Sequence, residues 1–263
     1  MTNPIVSIIT PTYNREAFLP AIIACVQKQT CQEIEWLVLD DSEIPSLTLS
    51  RSSWDRLRYF HSSKRLSIGE KRNRLLDSAK GDIIFHFDDD DFYGPTYIAD
   101  MMKMMEKIGS DLVLLSGFFC WQLNTGHFGY YRTLVKTGPA FNFNRHGVEM
   151  VKLDDVNIPW IHLCYGWSYI YRKKIWEKNP FDAINTFEDR QFVLAAQRNF
   201  KVASFESKRL NCAHSVHNFS SSQCFPQFMI PEFVMGSLSP EAHRHSAWLR
   251  SIAKTLNEQM ILA

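Results

Sequence analysis

The sequence predicts an α/β protein built on a doubly wound, mostly parallel sheet, and three observations predict it. Short apolar runs recur at Ile5–Ile9, Ile34–Leu39 and Ile83-Ile-Phe85 with Phe87, each the length of a buried strand. Segments of helical periodicity lie between them. Polar clusters follow the runs directly: Thr10-Pro-Thr-Tyr13, Asp40-Asp41 and Asp88–Asp91. In such sheets ligands bind outside the carboxyl ends of the strands, so three polar clusters on one rim mark a site.

The elements follow in order. Ile5–Ile9 is the first strand, and Thr10–Asn14 reads as its loop. Glu16–Gln29 reads as a helix with Phe18, Leu19, Ile22, Ile23 and Val26 on one face. Ile34–Leu39 and Leu57–Phe60 are the next strands. Gly69–Ala79 is a helix closed by Lys80-Gly81 as a C-cap. After the strand into Asp88–Asp91 come a Met-rich helix over Thr96–Ile108, stopped at Gly109, and a strand over Leu112–Leu115. Beyond residue 116 the rhythm changes. Phe118–Trp121, Tyr130–Val135 and Trp160–Tyr171 read as antiparallel or irregular aromatic strands punctuated by glycine and asparagine. Arg172–Lys178 reads as a helical turn, Phe187–Asn199 as a helix and Val202–Phe205 as a strand. Ser239-Pro240-Glu241 starts a last helix whose Leu249, Ile252, Leu256 and Met260 form an apolar stripe.

The 263 residues suffice for one large α/β domain or two small ones. A hydrophobic share of 45% and an aromatic share of 13% exclude a disordered chain. A net charge of +1 argues against a nucleic-acid partner held by bulk electrostatics. Six cysteines without a CxxC pair fit neither a zinc site nor a disulfide framework, and suit a reducing compartment. The opening Met-Thr-Asn-Pro lacks the marks of a signal peptide. No apolar run reaches the roughly 18–20 residues of a membrane span. The expectation is a cytoplasmic protein, at most peripheral at the inner face of a membrane, with oligomerisation available through the last helix.

Asp88–Asp91 is the most informative segment. Like charges at the edge of a core are costly unless a cation or hydrogen-bond donors offset them. All-oxygen clusters suit a hard divalent ion such as Mg2+ or Mn2+. Strand alternation would put Asp88 and Asp90 on one face.

Several motifs in series resemble the family 2 glycosyltransferases of GT-A fold. They are Val6-Ser-Ile-Ile-Thr-Pro-Thr-Tyr-Asn-Arg15, Trp36-Leu-Val-Leu-Asp-Asp-Ser42, Gly69 with Arg72-Asn73 and Ala79-Lys-Gly81, Phe87–Asp91 with Pro95, Gly166–Lys173, Glu188-Asp189 and His214–Ser220. The resemblance implies residues 1–236 as one catalytic domain, with 1–116 its nucleotide-sugar-binding half and 117–236 its acceptor-binding half, and 237–263 as a C-terminal amphipathic helix.

The resemblance also implies chemistry. The donor is a nucleotide-diphosphate sugar, a UDP-sugar in preference, and the acceptor a carbohydrate or glycoconjugate hydroxyl. Mn2+ or Mg2+ on the diphosphate offsets the charge of the leaving group. Asp90 is the ligand by position, with Asp88 facing the same way toward the ribose or a metal-bound water, and Asp91 as the alternative. Asp89 and Arg15 belong to the same donor site. His214 completes the metal shell, with His217 as the alternative. Asp41 accepts a base N–H. Asp40, Thr10, Pro11 and Tyr13 form the rest of the base pocket, Tyr13 either stacking or simply packing. Arg72, with Lys71 and Arg74 nearby, could hold phosphates or lie in solvent. Asp189, beside Glu188, is the base of an inverting displacement or a first-turn helix acid. Trp121, Tyr130, Tyr131, Trp160, His162, Trp167 and Tyr169 supply candidates for a sugar platform and for the core.

Other chemistries fit less well. A dehalogenase-type phosphotransferase would want its Asp pair on the first strand, with Thr or Val where Phe92 stands. A pyrophosphorylase would want glycine in Thr10–Arg15. A non-catalytic binding relative stays open.

Overall fold

The computed structural model describes residues 5–156 and 161–262, the last three by backbone alone. Trp160, the side chain of Met260 and the opening Met-Thr-Asn-Pro lie outside the described residues. In chain order the first elements are β1 (Val6–Thr12), α1 (Leu19–Gln27), β2 (Ile34–Asp40), α2 (Leu47–Ser50), β3 (Leu57–His61) and α3 (Ile68–Ser78). Then come β4 (Ile83–His86), β5 (Phe92–Tyr93), α4 (Tyr97–Ile108), β6 (Leu112–Gln122), β7 (His127–Arg132), β8 (Pro139–Asn144) and β9 (Gly147–Lys152). α5 (Leu153–Val156), β10 (Ile170–Arg172), α6 (Lys174–Lys178), α7 (Glu188–Ala196), β11 (Val202–Glu206), β12 (Cys212–Val216), β13 (Phe228–Met229), α8 (Glu232–Leu238) and α9 (Pro240–Leu262) complete the chain.

The chain forms two compact units. The first holds residues 1–89, 95–115 and 163–205. Its strands run in the order β3-β2-β1-β4-β10-β6, all parallel from β3 to β4, with β10 antiparallel to both neighbours. The register pairs Thr12 with Asp40 and Ile9 with His86, which aligns the polar ends of β1, β2 and β4 on one rim. Leu75 and Leu76 of α3 and Phe192 and Val193 of α7 are buried against Ile9, Leu37 and Ile84. Each such side chain contributes about 1.5–3 kcal/mol on burial. The second unit holds residues 90–94, 116–162 and 206–263. In it the later part of β6 pairs antiparallel with β7 and parallel with β12, which also pairs with β5. β8 and β9 form a separate hairpin. In α9, Leu249 is buried and Ile252 and Leu256 are half-buried, while His245, Ser246 and Ala253 share the buried face.

Several boundaries depart from sequence expectation. β1 runs on through Pro11 to Thr12. Its ladder with β4 ends at Ile9, so Pro11 has a strand neighbour on one side only, where a missing N–H is tolerated. α1 begins at Leu19, with proline in its first turn. α3 starts at a capping box, Ser67 with Glu70, that periodicity alone overlooks. It ends in extended backbone at Ala79, so Gly81 is no helix cap. Gly81 is instead a close approach: a Cβ there would lie 2.6 Å from the Ser7 nitrogen. Leu112–Leu115 and Phe118–Trp121 are one strand of 11 residues. Gly117 lets it pass, since a Cβ would strike Glu206 and lie 2.6 Å from the Tyr130 hydroxyl. The stretch 161–168 holds two 3-10 turns and no strand. Among the described residues, no helix is long and apolar enough to cross a membrane.

Candidate active site

On the rim of the first unit, strand ends and two helix starts build three polar groups. At the end of β1, the Thr10 hydroxyl donates to the Phe87 carbonyl at 2.7 Å and accepts from the Trp36 indole at 2.9 Å. Thr10 therefore ties strands together. Thr12, one pleat further on, donates to Asp89 at 2.5 Å, and Arg15 Nε stands 3.6 Å from the other Asp89 oxygen. Pro11 is half-buried in the strand.

At the end of β2 the two aspartates divide. Asp40 accepts from the Ser42 N–H and hydroxyl, the Ser46 N–H and the Tyr59 hydroxyl, so it organises its own loop. Asp41 accepts from Lys71 Nζ at 2.8 Å, from the Leu66 N–H at 2.7 Å and from Arg65. Burial would raise its pKa, but the Leu66 N–H, Lys71 and Arg65 outweigh that and hold it below the ordinary carboxylate range. Lys71 is buried and also donates to the Thr12 carbonyl. The Arg65 guanidinium lies 3.4 Å from the centroid of the Tyr13 ring, covering one face of it. Arg65 sits in an irregular loop, where no pattern in the sequence singled it out. Arg74 is exposed. We expect Asp41→Asn to lower stability by about 1–3 kcal/mol, because Lys71 would keep a buried charge without its counter-ion. Denaturant titration checks this, and an unchanged midpoint would contradict it.

The third group joins α3 to α7. Phe187 precedes α7 in the left-handed region at φ 65 and is 52% exposed. That turn throws Phe187 outward and carries Glu188 and Asp189 inward, where both are buried. Backbone strain of this kind gathers at functional sites. Arg72 donates to Glu188 at 2.5 Å and lies over the Phe181 ring, 5.4 Å from its centroid. It is buried, and the charges of Glu188, Asp88 and Asp189 outweigh the burial and keep it protonated. Asp189 accepts from the Gly166 N–H at 3.1 Å and the Arg190 N–H at 2.7 Å. Its pKa is pushed up to about 6 by burial and then by Glu188, against the pull of Arg72 and the two N–H groups. A carboxylate in the first turn of a helix is ordinarily favoured in its ionised form by the dipole. The dipole contribution is small beside the cost of taking the charge out of water.

In the second unit the later half of the acidic run meets two histidines. β4 stops at His86, and residues 89–91 form a turn, so strand alternation does not order the four aspartates. The His217 ring meets Asp90 at 2.9 Å through Nε2, while its Nδ1 takes the Phe219 N–H. A nitrogen that accepts an N–H carries no proton, so Nε2 is the donor to Asp90. His214 meets Asp91 at 2.8 Å through Nδ1 and Ser222 at 2.8 Å through Nε2. Burial opposes its charge, but Asp91 outweighs that and pushes the imidazole up to about 10. Asp91 also takes the Ser215 N–H at 2.7 Å. Among the described residues, no three His, Cys, Asp or Glu side chains converge as a ready-made cation cage. Of the aromatic candidates, Trp121, Tyr131, Trp167 and Tyr169 are core, whereas Tyr130 and His162 are half-buried.

A family model described as Glycosyl transferase family 2 matches residues 7–179. An uncharacterized glycosyltransferase of Rickettsia bellii is 27% identical over 269 residues, covering 98% of this chain and 35% of its own length. S. aureus TarS 1-349 in complex with UDP-GlcNAc aligns at TM-score 0.61 and 20% identity, over 82% of this chain and 59% of that one. The mannosyltransferase PcManGT from Pyrobaculum calidifontis, in complex with GDP-Man and Mn2+, aligns at 0.55 and 13% identity, over 81% of this chain and 57% of that one. The chain spans between 31% and 56% of the length of four curated relatives it matches.

Proposed function

The chain belongs to glycosyl transferase family 2 and has the GT-A fold, and from that membership we propose that it moves a hexose from a UDP-sugar to a hydroxyl of a carbohydrate or glycoconjugate acceptor, with inversion. The environment of Asp189 carries the reading. Its carboxylate is buried and held by two N–H donors, with Arg72 fixed nearby and a pKa near 6. Such a group is ionised at neutral pH and basic enough to take the acceptor proton late in the displacement. Asp41, Lys71 and the Arg65–Tyr13 stack form the base end of the donor site. Arg15 and Asp89 flank the donor at the end of β1.

A divalent ion belongs to this reading, and the carboxylate oxygens of the acidic run have the chemistry for one. Asp90 would hold the ion, and His217, which donates its Nε2–H to that carboxylate, would orient it. His214, committed to Asp91 and Ser222, serves the acidic run as a fixed counter-charge. When bound, the metal supplies Lewis-acid stabilisation of the leaving diphosphate.

Two outcomes are expected. In a thermal-shift panel, UDP and UDP-GlcNAc with Mn2+ should raise the melting temperature and GDP-mannose should not; the reverse ranking would overturn the donor assignment. Transfer should also fall on acidification. The base works deprotonated, so with a pKa near 6 the rate should be half-maximal near pH 6 and drop about tenfold per pH unit below it. A rate that stays flat down to pH 5 would exclude Asp189 as the group observed.

A further inference from the structure

His86 is a polar residue in an otherwise apolar strand, and it is 1% exposed. Both ring nitrogens are satisfied, as burial demands. Nδ1 lies 2.8 Å from the Gly166 carbonyl, which can only accept, so Nδ1 carries the proton. Nε2 is then bare and accepts from the Tyr171 hydroxyl at 3.0 Å. Tyr169 and Phe181 flank the ring, each with its centroid 5.7 Å away. Gly166 in turn gives its N–H to Asp189. A side chain at 166 would be tight: a Cβ would lie 3.0 Å from both Arg72 Nη2 and Asp189 Cβ. The Gly166 backbone is therefore clamped between His86 on one side and Asp189 with Arg72 on the other.

We propose that His86 is a positioning residue for Asp189, holding the Gly166 turn at the place where its N–H meets the carboxylate. The hydrogen bonds run from Tyr171 to His86 to the Gly166 carbonyl and, from the N–H of the preceding peptide plane, from Gly166 to Asp189. The Gly166 carbonyl also accepts the Tyr169 N–H at 3.2 Å; an apolar side chain would fill the same core position but would leave that carbonyl with this one bond and no tie to β4. The inference rests on the reading of Asp189 as the base, because positioning matters to catalysis only if the carboxylate reacts.

The test follows the carboxyl of Asp189 by carbon NMR across pH in the full chain, with Asp189→Asn identifying its signal. Glu188, Arg72 and the Tyr169 phenol face this carboxyl and stay unchanged in every variant. In His86→Phe the ring packing survives and the tie from β4 to Gly166 is lost, leaving the Tyr169 N–H on its carbonyl. The N–H that favours the ionised form should then drift away, and the titration should move up by about one pH unit. His86→Asn puts an amide donor back near Nδ1 and should return the titration toward the wild-type value. An unmoved titration in folded His86→Phe would overturn the proposal. Should that variant fail to fold, Tyr171→Phe removes only the outer hydroxyl. A smaller upward shift there supports the proposal, and none overturns it. Full transfer by Asp189→Asn would remove the base itself while leaving the titration shifts as they are, so the two failures are told apart.

Discussion

Asp189→Asn should bind UDP and Mn2+ like the wild type and transfer sugar about 10²–10⁴ times more slowly. The side chain stays nearly isosteric, but Gly166 and Arg190 bond separate carboxylate oxygens, so the single asparagine oxygen keeps only one of these two hydrogen bonds. What is lost is the capacity to take a proton at neutral pH. If Asp189 were only a first-turn acid, the same change would leave turnover near normal. Removing a buried carboxylate from beside Glu188 should, if anything, relieve repulsion. Binding of UDP and Mn2+ is expected to survive while transfer falls, which a general loss of folding cannot imitate. Any surrogate alcohol that supports measurable transfer serves as acceptor. Near-normal transfer would withdraw Asp189 from the mechanism and favour a non-catalytic binding protein.

Asp90→Asn should weaken Mn2+-dependent binding of UDP by about 100-fold or more while the melting temperature stays close to that of the wild type. The asparagine oxygen preserves the hydrogen bond that His217 donates, so no buried donor is stranded. The alanine variant is a less clean probe. Relief of charge repulsion argues for a more stable protein, but alanine would leave the buried His217 Nε2–H without its acceptor, at a cost of about 1–3 kcal/mol. Calorimetry with UDP, with and without Mn2+, reads the difference. Equal metal-dependent affinity in the wild type and Asp90→Asn would move the metal away from Asp90. The same titration on Asp91→Asn separates the two readings of the acidic run, since Asp91 is committed to His214 and the Ser215 N–H.

By itself the sequence determined the fold class and the family and named the candidate site residues. Alternating apolar runs and helical periodicity are local properties, and the polar clusters at strand ends mark the rim wherever those strands pair. The order of the motifs from Val6 to Asp189 carried the family. The tertiary structure alone decided which partners those residues take. Asp90 pairs with His217, 127 residues away, and Asp91 with His214, 123 residues away, and no local pattern encodes which carboxylate meets which ring. Asp41 and Lys71 both read as donor-binding groups, yet each balances the other's buried charge. Phe118–Trp121 read as a separate strand because Ser116-Gly117 looks like punctuation; packing against Glu206 and Tyr130 needs that glycine and lets β6 run through. His86 showed only as a polar residue in an apolar strand, and its role rests on partners brought from residues 166 and 171. Helix position predicted an easily ionised Asp189, and burial reversed the sign. Propensity and periodicity act over a few residues, whereas desolvation, charge pairing and close backbone approach depend on what the folded chain brings together from far along its length.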